Sequence, residues 1–226
     1  MKKTFQYLNQ LKSNNNREWF TNNRSLYEET YAEMLDLGQH VIDHMNEHDN
    51  IETRSAKKSI FRIYRDVRFS KDKTPYKTNW GGFLRRATAK LRGGYYYQIE
   101  PGNCYVAGGF FNPNSKDLLH IRRQISQHSE SLREILNSLE FREFFGQLDG
   151  EKLKTSPRGF EKDHPDIDLL RYKRFIIRHH FSDREALNKD FAITIANGFK
   201  LMRPFFDYMS DILTTDLNGV TLLPED

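Results

Sequence analysis

The chain has 226 residues, 29% of them charged and 37% hydrophobic, with a formal net charge of +4. At this length one substantial core can be buried, and a mean hydropathy of −0.78 excludes a protein built of apolar membrane-spanning helices. The single cysteine, Cys104, excludes an internal disulfide framework and any cysteine-based zinc cluster.

The first residues carry Lys2 and Lys3, as a signal peptide would, but Gln6, Asn9, Gln10 and Lys12 interrupt the apolar run that export requires. A cytoplasmic location is expected. Phe5, Leu8 and Leu11 share one helical face behind Thr4 as N-cap, and Asn14, Asn15 and Asn16 break the pattern. A longer helix is expected from near Asn22 or Asn23 past Met45, with Leu26, Tyr27, Tyr31, Met34, Leu35, Leu37, Val41, Ile42 and Met45 as its apolar stripe. Residues 1–50 thus read as a helical N-terminal part.

From Ile60 the period changes to two. Phe61, Ile63, Val67 and Phe69 fall on one face of a predicted strand, with Arg62, Tyr64, Asp66 and Arg68 on the other. Arg65 interrupts the apolar face, so its charge needs a partner, a wet pocket floor or a bulge. Trp80 to Leu91 reads as a second strand, Gly93-Gly94 as a two-residue hairpin turn, Tyr95 to Glu100 as a third strand and Cys104 to Phe111 as a fourth. In the last of these, Gly108 and Gly109 leave room for a backbone, a ring or a ligand to come close.

Pro113, Asn114 and Ser115 introduce a helix from about Lys116 to His128, and Leu132 to Leu139 and Phe141 to Phe145 fit two more. Residues 151–165, with Pro157, Gly159 and Pro165, read as an irregular loop. A strand over Lys173 to Phe181, a helix capped by Ser182 or Asp183 and running to about Gly198, and a last helix from Leu201 to Leu213 complete the reading. The expectation is one α+β domain over residues 1–226. It comprises a four-strand meander between 60 and 111, helices plus one strand over 115–213, and so an antiparallel sheet of about five strands flanked by N- and C-terminal helices.

Charge is distributed unevenly. Between Arg54 and Arg92 thirteen Lys or Arg stand against Asp66 and Asp72, a local net charge of +11 that leaves −7 for the rest of the chain. Such asymmetry points to an anionic partner. Arg62, Arg65, Arg68, Lys71, Lys73 and Lys77 supply closely spaced donors, and guanidinium forks match phosphate or carboxylate oxygens. Asp66 is a candidate orienter or base. The bland alternative is a solvated strand face and a turn, since the run from Ser70 to Pro75 has ordinary turn composition.

A nucleic-acid surface is the competing reading, using the same cations with Tyr64, Tyr76 and Trp80 as stacking rings. No helix-turn-helix, zinc-finger or RNP1-type pattern supports it. His40, His44 and His48 share a helical face but have no further ligand in view, so no metal site is assigned. His179 and His180 would point to opposite faces of their strand, structural at one and a possible acid or base at the other. Neither glycine pair fits a phosphate or dinucleotide loop, so no cofactor is identified.

The run from Arg65 to Lys77 (Arg65-Asp66-Val67-Arg68-Phe69-Ser70-Lys71-Asp72-Lys73-Thr74-Pro75-Tyr76-Lys77) resembles the signature of the domain-of-unknown-function 2461 family. Asn15-Asn16-Arg17-Glu18-Trp19-Phe20, Gly108-Gly109 with Pro113, Ile121-Arg122, and Pro157-Arg158-Gly159-Phe160 with His164-Pro165 agree with it. The resemblance covers nearly the whole chain. It implies one compact domain and transfers no activity, substrate or catalytic residue. The expected function is therefore anion recognition at the basic segment, with a nucleic-acid module or a non-catalytic interaction protein as the alternatives.

Overall fold

The computed structural model describes residues 1–224 and has an α+β fold. In chain order, α1 (Lys2–Ser13), α2 (Arg17–Asn22), α3 (Arg24–Asn46) and α4 (Ala56–Ser59) precede β1 (Trp80–Arg85), β2 (Gly94–Ile99) and β3 (Cys104–Phe110). Then come α5 (Ser115–Gln127), α6 (Glu130–Asn137), α7 (Leu139–Phe145) and α8 (Ile167–Leu170), followed by β4 (Phe175–Phe181), α9 (Asp183–Ala186), α10 (Phe191–Leu201) and α11 (Arg203–Thr214). The antiparallel sheet has the order β1-β2-β3-β4. No described helix is long and apolar enough to cross a membrane.

The sheet has four strands rather than about five, because the predicted strand over 61–69 does not form. Ile60 bridges Gly82 and Tyr64 bridges Tyr76, but no ladder continues from either. The cause is local. The carboxylates of Asp66 and Asp72 accept from the backbone N–H groups of Arg68 and Thr74, offering the chain turn-type hydrogen bonds in place of a ladder. The predicted strand from Trp80 also stops early, at Arg85, and Thr88 with φ of 67° turns the chain before β2. The connection is therefore longer than the two-residue hairpin expected at Gly93-Gly94.

Two compact units emerge, each assembled from distant pieces of chain. The first comprises 1–84, 96–106 and 180–197. In it α3 receives α1, α2 and α4, burying Leu8 and Leu11 of α1 with Met34, Val41, Ile42 and Met45 of α3. The periodicity that predicts this helix is the one that fills the core. Thr4 does not cap α1. It lies inside the helix, fully buried, and its hydroxyl donates to Glu33 at 2.7 Å, the partner a buried hydroxyl requires. Asn16 ends the break after α1 by capping α2, accepting from Trp19 N at 2.9 Å. Trp80 is buried against Tyr27 and Tyr31, with both ring centroids 5.7 Å away.

Two glycines of β1 set how β2 lies on it. A Cβ on Gly81 would stand 2.7 Å from the hydroxyl of Tyr96, and one on Gly82 would stand 2.2 Å from Cζ of Tyr97. Alternation sends these two tyrosines to opposite faces, so each face of β1 is left bare where a ring crosses it. Along the outer side of β1, Phe61 N donates to Gly81 O at 2.9 Å.

The second unit comprises, among the described residues, 85–95, 107–179 and 198–224. Here α11 packs on α5 and α6, and α7 packs on α6. Tyr95 lies 4.9 Å from the rings of both Phe199 and Phe206. A Cβ on Gly108 would meet Met202 Sδ and Phe206 Cζ at 2.6 Å, and Gly109, with φ of 125°, admits the Phe175 carbonyl. The close approach expected at this pair is made by backbone, thioether and ring. The guanidinium of Arg86 is completely buried and pairs with Asp207. Beside β4, Asp149 N donates to Ile176 O at 2.6 Å and Lys173 N to Glu151 O at 2.7 Å.

Candidate functional site

Residues 61–77 fold back on themselves as a loop closed by two backbone hydrogen bonds. Arg65 N donates to Pro75 O at 2.9 Å and Lys77 N to Ile63 O at 2.8 Å, and together they bridge Tyr64 to Tyr76. Inside the loop Arg65 Nη1 donates to Asp72 and to the Thr74 hydroxyl, so the misfit charge of the apolar register is half-buried and paired. Arg68 grips Asp66 with two parallel bonds, Nε to Oδ1 at 3.0 Å and Nη2 to Oδ2 at 2.7 Å. Lys73 Nζ donates to Val67 O at 2.9 Å. These contacts present Phe69 at the tip with 97% of its surface exposed.

Beneath the loop lies an open depression of about 550 Å³ lined by Phe61, Arg65, Asp66, Lys77, Asn79, Tyr96 and Gln98. Its floor is polar and held in place. Gln98 Oε1 accepts from Asn79 Nδ2 at 3.2 Å and from the Tyr96 hydroxyl at 3.1 Å, while Gln98 Nε2 donates to Glu100 at 2.8 Å. The ammonium of Lys77 stands 5.4 Å from the centre of the Phe61 ring.

Electrostatically the loop residues separate into two groups. Asp72 is held at about 2 by the Thr74 backbone N–H, the Arg65 guanidinium and the Thr74 hydroxyl. Asp66 is held below the usual carboxylate range by Arg68. Both are thus fixed as carboxylates that anchor cations, poorly suited to accept a proton at neutral pH. Lys77 is different. Burial first, and the charge of Arg62 second, lower its pKa from the ordinary lysine value.

Of the seven residues singled out in sequence, Arg65, Asp66 and Lys77 come together in the depression. Arg62, Arg68, Lys71 and Lys73 do not line it. Arg68 and Lys73 bind within the loop, and Arg62 acts on Lys77 by charge alone. Of the rings offered for nucleic acid, Trp80 and Tyr76 are buried in the core and Tyr64 is exposed at 41%. The floor residues Asn79, Tyr96 and Gln98 were missed. Their signal was present in the alternation of β2, which places Tyr96 and Gln98 on the face opposite Tyr95, Tyr97 and Ile99, with Gly81 bare opposite Tyr96.

The remaining candidates resolve individually. His40 and His44 stand 3.5 Å from Asp36 and Glu47, and no described group of three metal-binding side chains gathers around them. His179 stacks on Phe144 at 3.8 Å with Nδ1 2.6 Å from its carbonyl, whereas His180 approaches Tyr105. Cys104 is buried, and burial pushes its thiol up to about 11.

Compared with known proteins, residues 3–208 match the model of a family described as a conserved hypothetical protein, DUF2461. No curated protein and no solved structure matches the chain.

Proposed function

The chain belongs to the DUF2461 family of conserved hypothetical proteins, and from that premise we propose that its role is recognition of an anionic group at the depression beneath the 61–77 loop. The observation that carries this reading is Lys77. Its ammonium lines the depression, no carboxylate of the described residues pairs with it, and its surroundings disfavour its charge. A phosphate or carboxylate placed there relieves that penalty.

Arg65 adds a second donor. It spends Nη1 on Asp72 and Thr74, and the rest of its fork is oriented by those bonds. Arg68 and Lys73 keep the loop in shape, and Arg62 adds field. The ligand is an anion-bearing small molecule or group, and the single buried thiol of Cys104 suits a reducing cytoplasm.

The test is thermal unfolding in inorganic phosphate against chloride at matched ionic strength. A ligand at a hundred times its dissociation constant adds ~2.7 kcal/mol of stability. Lys77→Gln should abolish the phosphate increment, while Lys200→Gln, outside the loop, should retain it. Equal increments in the two variants would show that phosphate acts without Lys77 and would end the proposal.

A further inference from the structure

A row of rings crosses the sheet from this depression. The Phe61 centroid lies 6.2 Å from Tyr96, Tyr96 lies 5.7 Å from Tyr105 on β3, and Tyr105 lies 5.3 Å from His180 on β4. The row reaches solvent. Phe61 is 46% exposed, His180 is exposed, and Tyr96 and Tyr105 are half-buried. Gly81 lets the Tyr96 ring lie close over β1, since a Cβ there would stand 2.7 Å from its hydroxyl. At one end of the row stand Lys77 and Arg65.

Cross-strand aromatic pairs by themselves help hold a sheet together. That role does not require the row to be open to water, nor to begin at a lysine without a carboxylate partner. Flat hydrophobic faces beside cations are the chemistry that binds unpaired bases, since every base has a π face and every nucleotide a phosphate. We propose that Phe61, Tyr96, Tyr105 and His180 stack successive bases of a single strand, one of whose phosphates lies at Lys77. Ring steps of 6.2, 5.7 and 5.3 Å leading away from Lys77 are more than one base can cover. A duplex does not fit, because its bases are already stacked on one another. The local net charge of +11 between Arg54 and Arg92 complements such a ligand.

The inference rests on the anion reading of Lys77, and its test separates the two. Binding is measured for inorganic phosphate, for a free nucleoside monophosphate and for a short fluorescein-labelled oligothymidylate. The proteins compared are wild type, Tyr105→Leu, Tyr105→Phe, His180→Ala and Lys77→Gln. The oligonucleotide should bind more tightly than phosphate. Tyr105→Leu and His180→Ala should each weaken oligonucleotide binding about fivefold or more while leaving phosphate binding intact, and Tyr105→Phe should retain it.

His180→Ala guards against a folding defect in Tyr105→Leu, since His180 is exposed. A single strand as the ligand is indicated if the oligonucleotide binds more tightly than the monophosphate, with a salt slope of about −0.7 per phosphate neutralised. Equal affinities for oligonucleotide and monophosphate would overturn the single strand as the ligand. If phosphate binds and nucleotides bind no better, or if both ring variants bind nucleotide as wild type does, the stacking proposal is overturned and the anion reading stands. If phosphate fails to bind while nucleotide binding survives Lys77→Gln but not the ring variants, the stacking row stands and the phosphate site at Lys77 is wrong.

Discussion

The ring of Tyr97 occupies the space that a side chain on Gly82 would need, with Cζ 2.2 Å from the position of its Cβ. Gly38 of α3 is constrained by the same ring, since a Cβ there would stand 2.8 Å from the Tyr97 hydroxyl. The hydroxyl end of the tyrosine is therefore clamped against two bare backbones. Gly82→Ala should cost ~1 to 3 kcal/mol as an overpacked core does, lowering the denaturation midpoint. Combining it with Tyr97→Leu should cost less than the two single changes added together, because the pair are in contact. An unchanged midpoint for Gly82→Ala would refute the clamp.

Asp72 should titrate at about 2, with the Thr74 N–H as the leading cause and Arg65 next. Because its folded pKa is depressed, its anchoring contribution is complete above the ordinary value of 3.8 and fades as pH falls from there towards 2. Carboxyl NMR of the folded protein reads the midpoint directly. Arg65→Gln should move it up towards the ordinary value, and an Asp72 midpoint already near 3.8 in the wild type would show that the loop is not held this way.

Lys77 should lose its proton below the ordinary lysine value of 10.5 in the free protein, through burial and through Arg62. Here the folded state releases the proton before the unfolded chain does, so stability rises with pH across the window between the depressed value and 10.5. Arg62→Gln should narrow that window. Bound phosphate should push the midpoint back up, because an anion favours the charged amine. The side-chain Cε resonance reports both effects, and a phosphate-insensitive midpoint would count against the proposed site.

The helices were legible where hydrophobic period and capping chemistry agreed. Met34, Val41, Ile42 and Met45 lie buried on the predicted face of α3, and Asn114 caps α5 as its sequence context suggests. The loop at 61–77 was misread because its alternation is real while its aspartates divert the backbone, and local hydrogen bonds outweighed the period. The helix expected from Ser182 to Gly198 divides into α9 and α10, with Asn188 and Asp190 bonded to each other in the break. Arg86 illustrates a different limit. Nothing local distinguishes it from exposed Arg85, because its burial depends on Asp207 and Ser210, more than a hundred residues away.

The hydrogen bonds beside β1 and β4 restrict how the protein can meet a peptide. Phe61 already donates to Gly81 on one outer strand, and Asp149 already donates to Ile176 on the other. A carbonyl satisfied from outside the sheet offers an incoming strand no acceptor without first being stripped of its own donor. Partners that dock by extending a sheet are thus discouraged at these points, as is edge-to-edge association of two copies. Recognition is left to side chains, and the loop that guards the β1 edge is the same one that supplies Arg65 and Lys77 to the depression.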